Sequence, residues 1–179
     1  MDNNLTIEEC IKILEGYAKE PEKGLPEDLF LYATTITPMI NVDLLVRNKQ
    51  GHILMSWRDD ICGKGWHIPG GIIRYKEKIH DRIIIVGQKE LHTVVSHSDE
   101  PIAINEIIIE PKIRGHFISL LYKCDVPEDY DIEHQTIKEG EAGYLKWISS
   151  YPENIVVGQR DIYKNLWEQL NYEKMQMLQ

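Results

Sequence analysis

The spacing of apolar residues changes period along the chain. From Thr6, residues Ile7, Cys10, Ile11, Leu14 and Tyr17 recur at helical intervals. Thr6 and Glu9 stand in the capping-box arrangement, in which each side chain accepts the other's backbone N–H at a helix start. This pattern predicts a first helix. Residues 20–24 form a charged break containing Pro21, and Pro26 opens residues 26–33, a placement proline favours in the first turn of a second short helix. Residues 1–38 therefore read as a helical N-terminal extension. Its two helices are too small for a core of their own, so they are expected to pack on the domain or across a twofold interface.

From residue 39 to 179 the pattern becomes that of an α/β domain. Residues 39–47 and 52–58 are apolar and β-branched, with turn residues at 48–51 between them, which predicts a hairpin. Further strands are expected at 66–68, 102–110, 116–124 and 144–148. A helix is expected over 77–91, where Ile79, Ile83, Val86 and Glu90 fall on related faces. Gly87 weakens that helix by about 1 kcal/mol relative to alanine, so its small size should have a tertiary reason. A last helix over 160–175 carries Tyr163, Leu166, Trp167 and Leu170 as a stripe suited to core packing.

A hydrophobic fraction of 42% and a charged fraction of 27% are ordinary for a globular protein. The formal net charge of -9 opposes the backbone-phosphate attraction on which nucleic-acid binding rests. A small phosphate ligand stays compatible, provided that a few local arginines or a bound cation hold it. Cys10, Cys62 and Cys124 form no C-x-x-C pair and read as reduced thiols of a cytoplasmic protein. Met1-Asp2-Asn3-Asn4 is not a basic stretch followed by an apolar core, and no apolar run approaches membrane-spanning length, so neither secretion nor membrane insertion is expected.

The chemistry concentrates in Gly65-Trp66-His67-Ile68-Pro69-Gly70-Gly71, followed by Glu77 and Glu90. A strand ending in Pro-Gly-Gly turns sharply and lets other groups approach its backbone, and a helix with carboxylates comes directly after it. Such a unit can offer a carbonyl oxygen and a carboxylate to a hard cation such as Mg2+.

These residues resemble the Nudix hydrolases. Gly71, five intervening residues and Glu77 match the opening of the box G-x5-E-x7-R-E-U-x-E-E-x-G-U, and Glu90 falls on the second glutamate of its pair. Ile85, Val86, Lys89 and His92 depart from it, so the box is degenerate. Within the superfamily the reduced carboxylate set is similar to the GDP-mannose mannosyl hydrolase branch, over residues 37–148. The resemblance implies a Nudix fold, a mixed β-sheet sandwiched between helices. It further implies a magnesium-dependent hydrolase, Mn2+ being an alternative, in which one cation stabilises a diphosphate leaving group while water attacks the anomeric carbon of a nucleotide sugar.

Carried over by position, the cation ligands are Gly70, Glu90 and Glu141, with Glu77 a further carboxylate of the box. Arg58 is implied as a diphosphate clamp, and arginine suits that role through its planar fork of donors. Arg74 stands two residues beyond Ile72, where the family has its arginine, and Arg82 three residues before Ile85. The family's base position is Ala142, so no base transfers; His116 is the candidate, with His67 and His134 behind it. Glu106, Glu110, Glu133 and Glu139 keep a second chemistry open, pyrophosphate cleavage to a nucleoside monophosphate. The departures from the box also leave room for a nucleotide-sugar binding protein without turnover. A homodimer is expected from the resemblance.

Overall fold

The computed structural model describes residues 5–60, 63–110 and 112–177, with side chains to residue 169. Cys62 and the Leu170 side chain, both named above, lie outside the described residues. At the N-terminus the capping box forms: Thr6 N–H donates to Glu9 Oε2 at 2.8 Å and Glu9 N–H donates to Thr6 Oγ1 at 3.2 Å. These bonds start α1 (Ile7–Tyr17), which buries no residue and leaves Ile7 80% and Tyr17 67% exposed. Its apolar stripe is uncovered in the single chain. The second helix, α2 (Glu27–Ala33), follows Pro26 and docks on the domain. There the Arg114 guanidinium lies 5.6 Å from the Phe30 ring centre, and Arg114 N–H donates to Thr34 Oγ1 at 3.0 Å.

The domain holds two sheets. Strands β1 (Met39–Val46), β4 (Gly70–Ile72), β5 (Ser96–His97), β6 (Ala103–Ile108) and β7 (His116–Asp125) form a mixed five-stranded sheet in the order β4-β1-β7-β5, with β6 also paired to β7. Strands β2 (Ile53–Asp60), β3 (Gly63–His67) and β8 (Leu145–Ile148) form a second, antiparallel sheet in the order β3-β2-β8. The expected hairpin of β1 with β2 is therefore not formed. β1 runs parallel to β7 on one edge and antiparallel to β4 on the other, so no free edge is left for β2 beyond a single bridge from Arg47 to Ile53.

Helices cover opposite faces of this pair of sheets. Ile83, Val86 and Leu91, at and just beyond α3 (Ile79–Glu90), pack with Val42, Leu44, Leu54 and Tyr122. Tyr163 and Trp167 of α4 (Val157–Met177) pack with Leu45, Ile53, Met55, Trp66 and Leu121 on the other side. A mixed β arrangement between helices is thus the architecture. Gly87 has the tertiary reason expected of it, since a Cβ there would lie 3.1 Å from the Thr93 carbonyl oxygen and 3.2 Å from Val95. Leu91 and Thr93 N–H both donate to the Gly87 carbonyl as α3 ends, and His92 takes a left-handed backbone with φ of 56°.

Candidate functional site

Pleating of β1 sends Asn41 and Asp43 to the face opposite Val42 and Leu44. Asp43 is 2% exposed and accepts from Ser119 Oγ, Tyr163 OH and Asn41 Nδ2. Burial raises its carboxyl above the ordinary range, against the lowering effect of those donors and of nearby Arg58. Gly70 pairs with Asp43 across the β1/β4 ladder, and Leu44 N–H donates to the Pro69 carbonyl at 2.8 Å. A Cβ on Gly70 would stand 2.2 Å from Asp43 Oδ1, and one on Gly71 2.7 Å from Val86 Cγ2. Both glycines are required by close approach rather than by an unusual backbone angle.

Glu90 ends α3 beside this turn. Its side chain is 27% exposed, yet Oε2 is itself buried without a hydrogen-bond partner. Burial pushes its carboxyl up to about 7, offset in part by Arg58 and by the Gly70 backbone N–H. His67 faces it, with Nε2 3.9 Å from Glu90 Oε2. His67 Nδ1 lies 3.0 Å from the Ile68 carbonyl oxygen, which can only accept, so the proton sits on Nδ1 and Nε2 presents a lone pair. Burial, aided by Arg58, holds this imidazole down to about 3, and it is neutral. Glu90 Oε2 and His67 Nε2 thus face one another with no hydrogen bond between them. Gln159 braces the same strand end: Ile68 N–H donates to its Oε1 at 2.7 Å, and its Nε2 donates to the Ile68 carbonyl at 3.3 Å.

Arg58, Asp43, Gly70, Gly71, Arg74 and Arg82 line one cavity of about 810 Å³. Arg58 stands 3.6 Å from Asp60 Oδ2 and is the arginine whose charge reaches Asp43, His67 and Glu90. Arg82 lines the cavity as well, but its Nε and one terminal nitrogen donate to the two oxygens of Glu77, each at 2.8 Å. Glu77 also accepts from Arg74 N–H at 2.8 Å. The expected role of Glu77 as a cation ligand thus meets a carboxylate that already accepts three hydrogen bonds, and the expected role of Arg82 at phosphate meets a guanidinium engaged elsewhere. Arg74 keeps its guanidinium against Gly24 of the N-terminal extension, 3.6 Å from where a Cβ would lie.

Other expected residues fall outside this cavity. Glu141 is exposed, and its Oε2 accepts from Lys138 N–H within its own turn at 3.1 Å. No contact joins it to Gly70 or Glu90 among the described residues. His116 sits on the opposite face of β7 from Phe117, which lines the cavity; it faces Glu106, with Nε2 3.4 Å from Oε1. The strand pleat places its ring away from the arginines, so a proton-accepting role for His116 in this cavity has no geometric support. His134 is 92% exposed beside Asp131. Asp43, Gln159 and Ser119 are not among the site residues expected from the sequence, and Tyr163 was legible only as a core residue. Asp43 left a signal, since a carboxylate within Val42-Asp43-Leu44-Leu45-Val46 interrupts an otherwise apolar strand, and a buried polar group is the informative exception in a core.

A divalent cation fits this arrangement at one place. The orphaned buried oxygen of Glu90 beside the Gly70 turn is the chemistry of a hard-cation ligand. Among the described residues no three His, Cys, Asp or Glu side chains are grouped so as to hold a metal ion, so any cation here would rest on Glu90 and backbone oxygen rather than on a cluster of side chains.

Comparison with solved structures decides the architecture. The MutT protein of Methanosarcina mazei Go1 superposes with a TM-score of 0.54 at 19% identity, over 78% of this chain and 97% of its own. A Nudix-family hydrolase from Clostridium perfringens does so with a TM-score of 0.54 at 17% identity, over 76% and 99%. The chain has the Nudix fold. A UDP-X diphosphatase gives a TM-score of 0.55 at 15% identity and covers 98% of this chain and 74% of its own, so its likeness runs through the N-terminal helices as well as the Nudix domain. In sequence, the chain is 23% identical over 135 residues to the low-salt glycan biosynthesis protein Agl8 of Haloferax volcanii, covering 71% of this chain and 86% of that protein. No family model matches the chain.

Proposed function

We propose that this Nudix-fold protein hydrolyses a nucleoside diphosphate sugar with one Mg2+ or Mn2+ ion, water attacking the anomeric carbon and nucleoside diphosphate leaving. The observation that carries the proposal concerns the two glutamates at box positions: Glu90 Oε2 is buried without a partner, whereas both oxygens of Glu77 are bound by Arg82. One cation held by Glu90 and the Gly70 carbonyl supplies charge neutralisation to a diphosphate, and Arg58 and Arg74 supply the rest. Glu141 enters the set only if the turn holding it moves. The names of solved structures with this fold, which include a UDP-X diphosphatase, and of the glycan-biosynthesis relative support a ligand built from nucleotide and sugar.

The test is turnover of a panel of nucleotide sugars with Mg2+ in 18O-labelled water, products being separated and weighed. Label in the free sugar is expected. Label in a phosphate product supports instead the second reading, ordinary pyrophosphate cleavage, for which the diphosphatase likeness speaks. Tight calorimetric binding without turnover across several metals leaves a binding protein, a reading supported by the absence of His116 from the cavity. We further propose a homodimer of cytoplasmic location; the uncovered stripe of α1 supports the dimer, light scattering tests it, and a monomeric mass removes it. Among the described residues no helix is long and apolar enough to cross a membrane.

A further inference from the structure

The cavity has two chemically different ends. Arg58, Asp43 and the Gly70 turn form one of them. The other is walled by Leu25, Phe30 and Leu31 of the N-terminal extension on one side and by Ile107, Ile113 and Phe117 on the other. Arg74 reaches this second end with its guanidinium against Gly24, and apart from it and Arg114 the walls just named are apolar. A sugar placed there would strand its hydroxyls, since burying an unpaired hydroxyl costs free energy, whereas a flat, largely apolar ring would not.

Arg114 is held there in an uncommon posture. Its backbone is left-handed, with φ of 54°, and its N–H is fixed by Thr34 Oγ1 at the end of α2. Its guanidinium lies over Phe30, and its buried Nε has no hydrogen-bond partner. Among the described residues Arg114 has no ion pair, in a chain of net charge -9 where acidic partners abound. An unpartnered buried donor beside an aromatic ring, at the rim of an apolar slot, suits a heteroaromatic ring with acceptor atoms on its edge.

We propose that the N-terminal extension forms a nucleobase subsite in cis, with Phe30 as the stacking surface and Arg114 donating to an acceptor on the base edge. The proposal rests on the functional reading above for the diphosphate at the Arg58 end, and the cavity volume of about 810 Å³ accommodates both parts of a nucleotide. The extension is then part of the binding site rather than only a cover.

The experiment is calorimetry on the full chain with Mg2+, using GDP, UDP and ADP against inorganic diphosphate. At least one nucleoside diphosphate is expected to bind about tenfold or more tightly than inorganic diphosphate, as stacking of one base contributes. Phe30→Ala and Arg114→Gln should each remove most of that advantage and leave inorganic diphosphate binding unchanged, and Phe30→Trp should keep it. If Phe30→Ala does not fold, saturation-transfer NMR on the wild-type protein takes its place: base protons should receive more saturation than ribose protons, and the reverse overturns the subsite. Nucleotide affinity unchanged in folded Phe30→Ala also overturns it. Binding of diphosphate with no gain from any nucleoside defeats this inference alone, whereas failure to bind either defeats the functional reading too.

Discussion

Replacing Arg82 by methionine should be among the most damaging single changes in the molecule, for a reason unconnected with catalysis. The Arg82 side chain is 7% exposed and that of Glu77 10%, and two of the guanidinium nitrogens meet both carboxylate oxygens. Removing the cation leaves a buried anion whose remaining donor is the Arg74 backbone N–H. Breaking a buried pair from one side costs about 3–5 kcal/mol, while replacing both partners by neutral groups of similar size costs far less. In a chain of this length that corresponds to a fall in melting temperature of about 6–20 °C for Arg82→Met. Glu77→Gln alone should be milder, because its amide oxygen still accepts, and the double variant should recover about 2 kcal/mol relative to the sum of the singles.

Thermal and urea unfolding followed by circular dichroism read this cycle directly, and a Mg2+ titration of each folded variant reads the alternative. If Glu77 ligates the cation in solution, Glu77→Gln should lose Mg2+ binding with little loss of stability. Strict additivity in the cycle, or a cost below about 1 kcal/mol for Arg82→Met, would refute the view that the pair is a structural clasp between the Gly-Gly loop and α3.

Gly70→Ala must displace either the β4 backbone or Asp43, because its Cβ would stand 2.2 Å from Asp43 Oδ1; a loss of about 2–3 kcal/mol together with weakened Mg2+ binding is expected, checked by unfolding and calorimetry. Asp43→Asn puts an N–H2 group among three donors, and urea unfolding should show a loss of about 2 kcal/mol that Asp43→Ala exceeds. In the metal-free protein His67, held down to about 3 from its ordinary 6.5, makes the folded state resist protonation, so stability is lost as pH falls from 6.5 toward 3. Glu90, raised from 4.5 to about 7, has the opposite sign and costs stability as pH rises from 4.5 to 7. The two oppose each other between 4.5 and 6.5, and below 4.5 His67 acts without that opposition. His67→Gln should therefore flatten the acid limb between pH 4.5 and 3 by up to about 1.4 kcal/mol per pH unit, and equal slopes for the two proteins would refute the neutral buried imidazole.

Local chemistry made much of this fold legible. Thr6 and Glu9 announce α1 because a capping box is satisfied within four residues, and residues 39–47 announce β1 because a buried strand is apolar on both faces. What stayed hidden is decided by partners far away in sequence. The turn at 48–51 looks like that of a hairpin, yet β7, more than 70 residues on, takes the β1 edge that β2 would have used. Strands β4 and β5 are three and two residues long, too short to carry a period of their own. Asp43 could be noticed as an oddity, but its three donors come from Asn41, Ser119 and Tyr163, and only the closed fold brings the last two to it.

At the position where the resemblance expects arginine stands Ile85, and Arg82, three residues earlier on the same stretch of α3, holds Glu77 with two hydrogen bonds. Where glycine is expected stands His92, and its backbone is left-handed all the same, the conformation for which glycine is the usual choice. Carboxylates cannot be relocated so freely, because a cation needs an oxygen at one point in space and not merely on one face of a helix. Val86 and Lys89 supply none, Glu77 is occupied, and Glu90 alone of the helix carboxylates at box positions is left with a bare buried oxygen. A chemistry that needs several cations bridged by several carboxylates therefore has less to work with here than one that needs a single ion to steady a departing diphosphate.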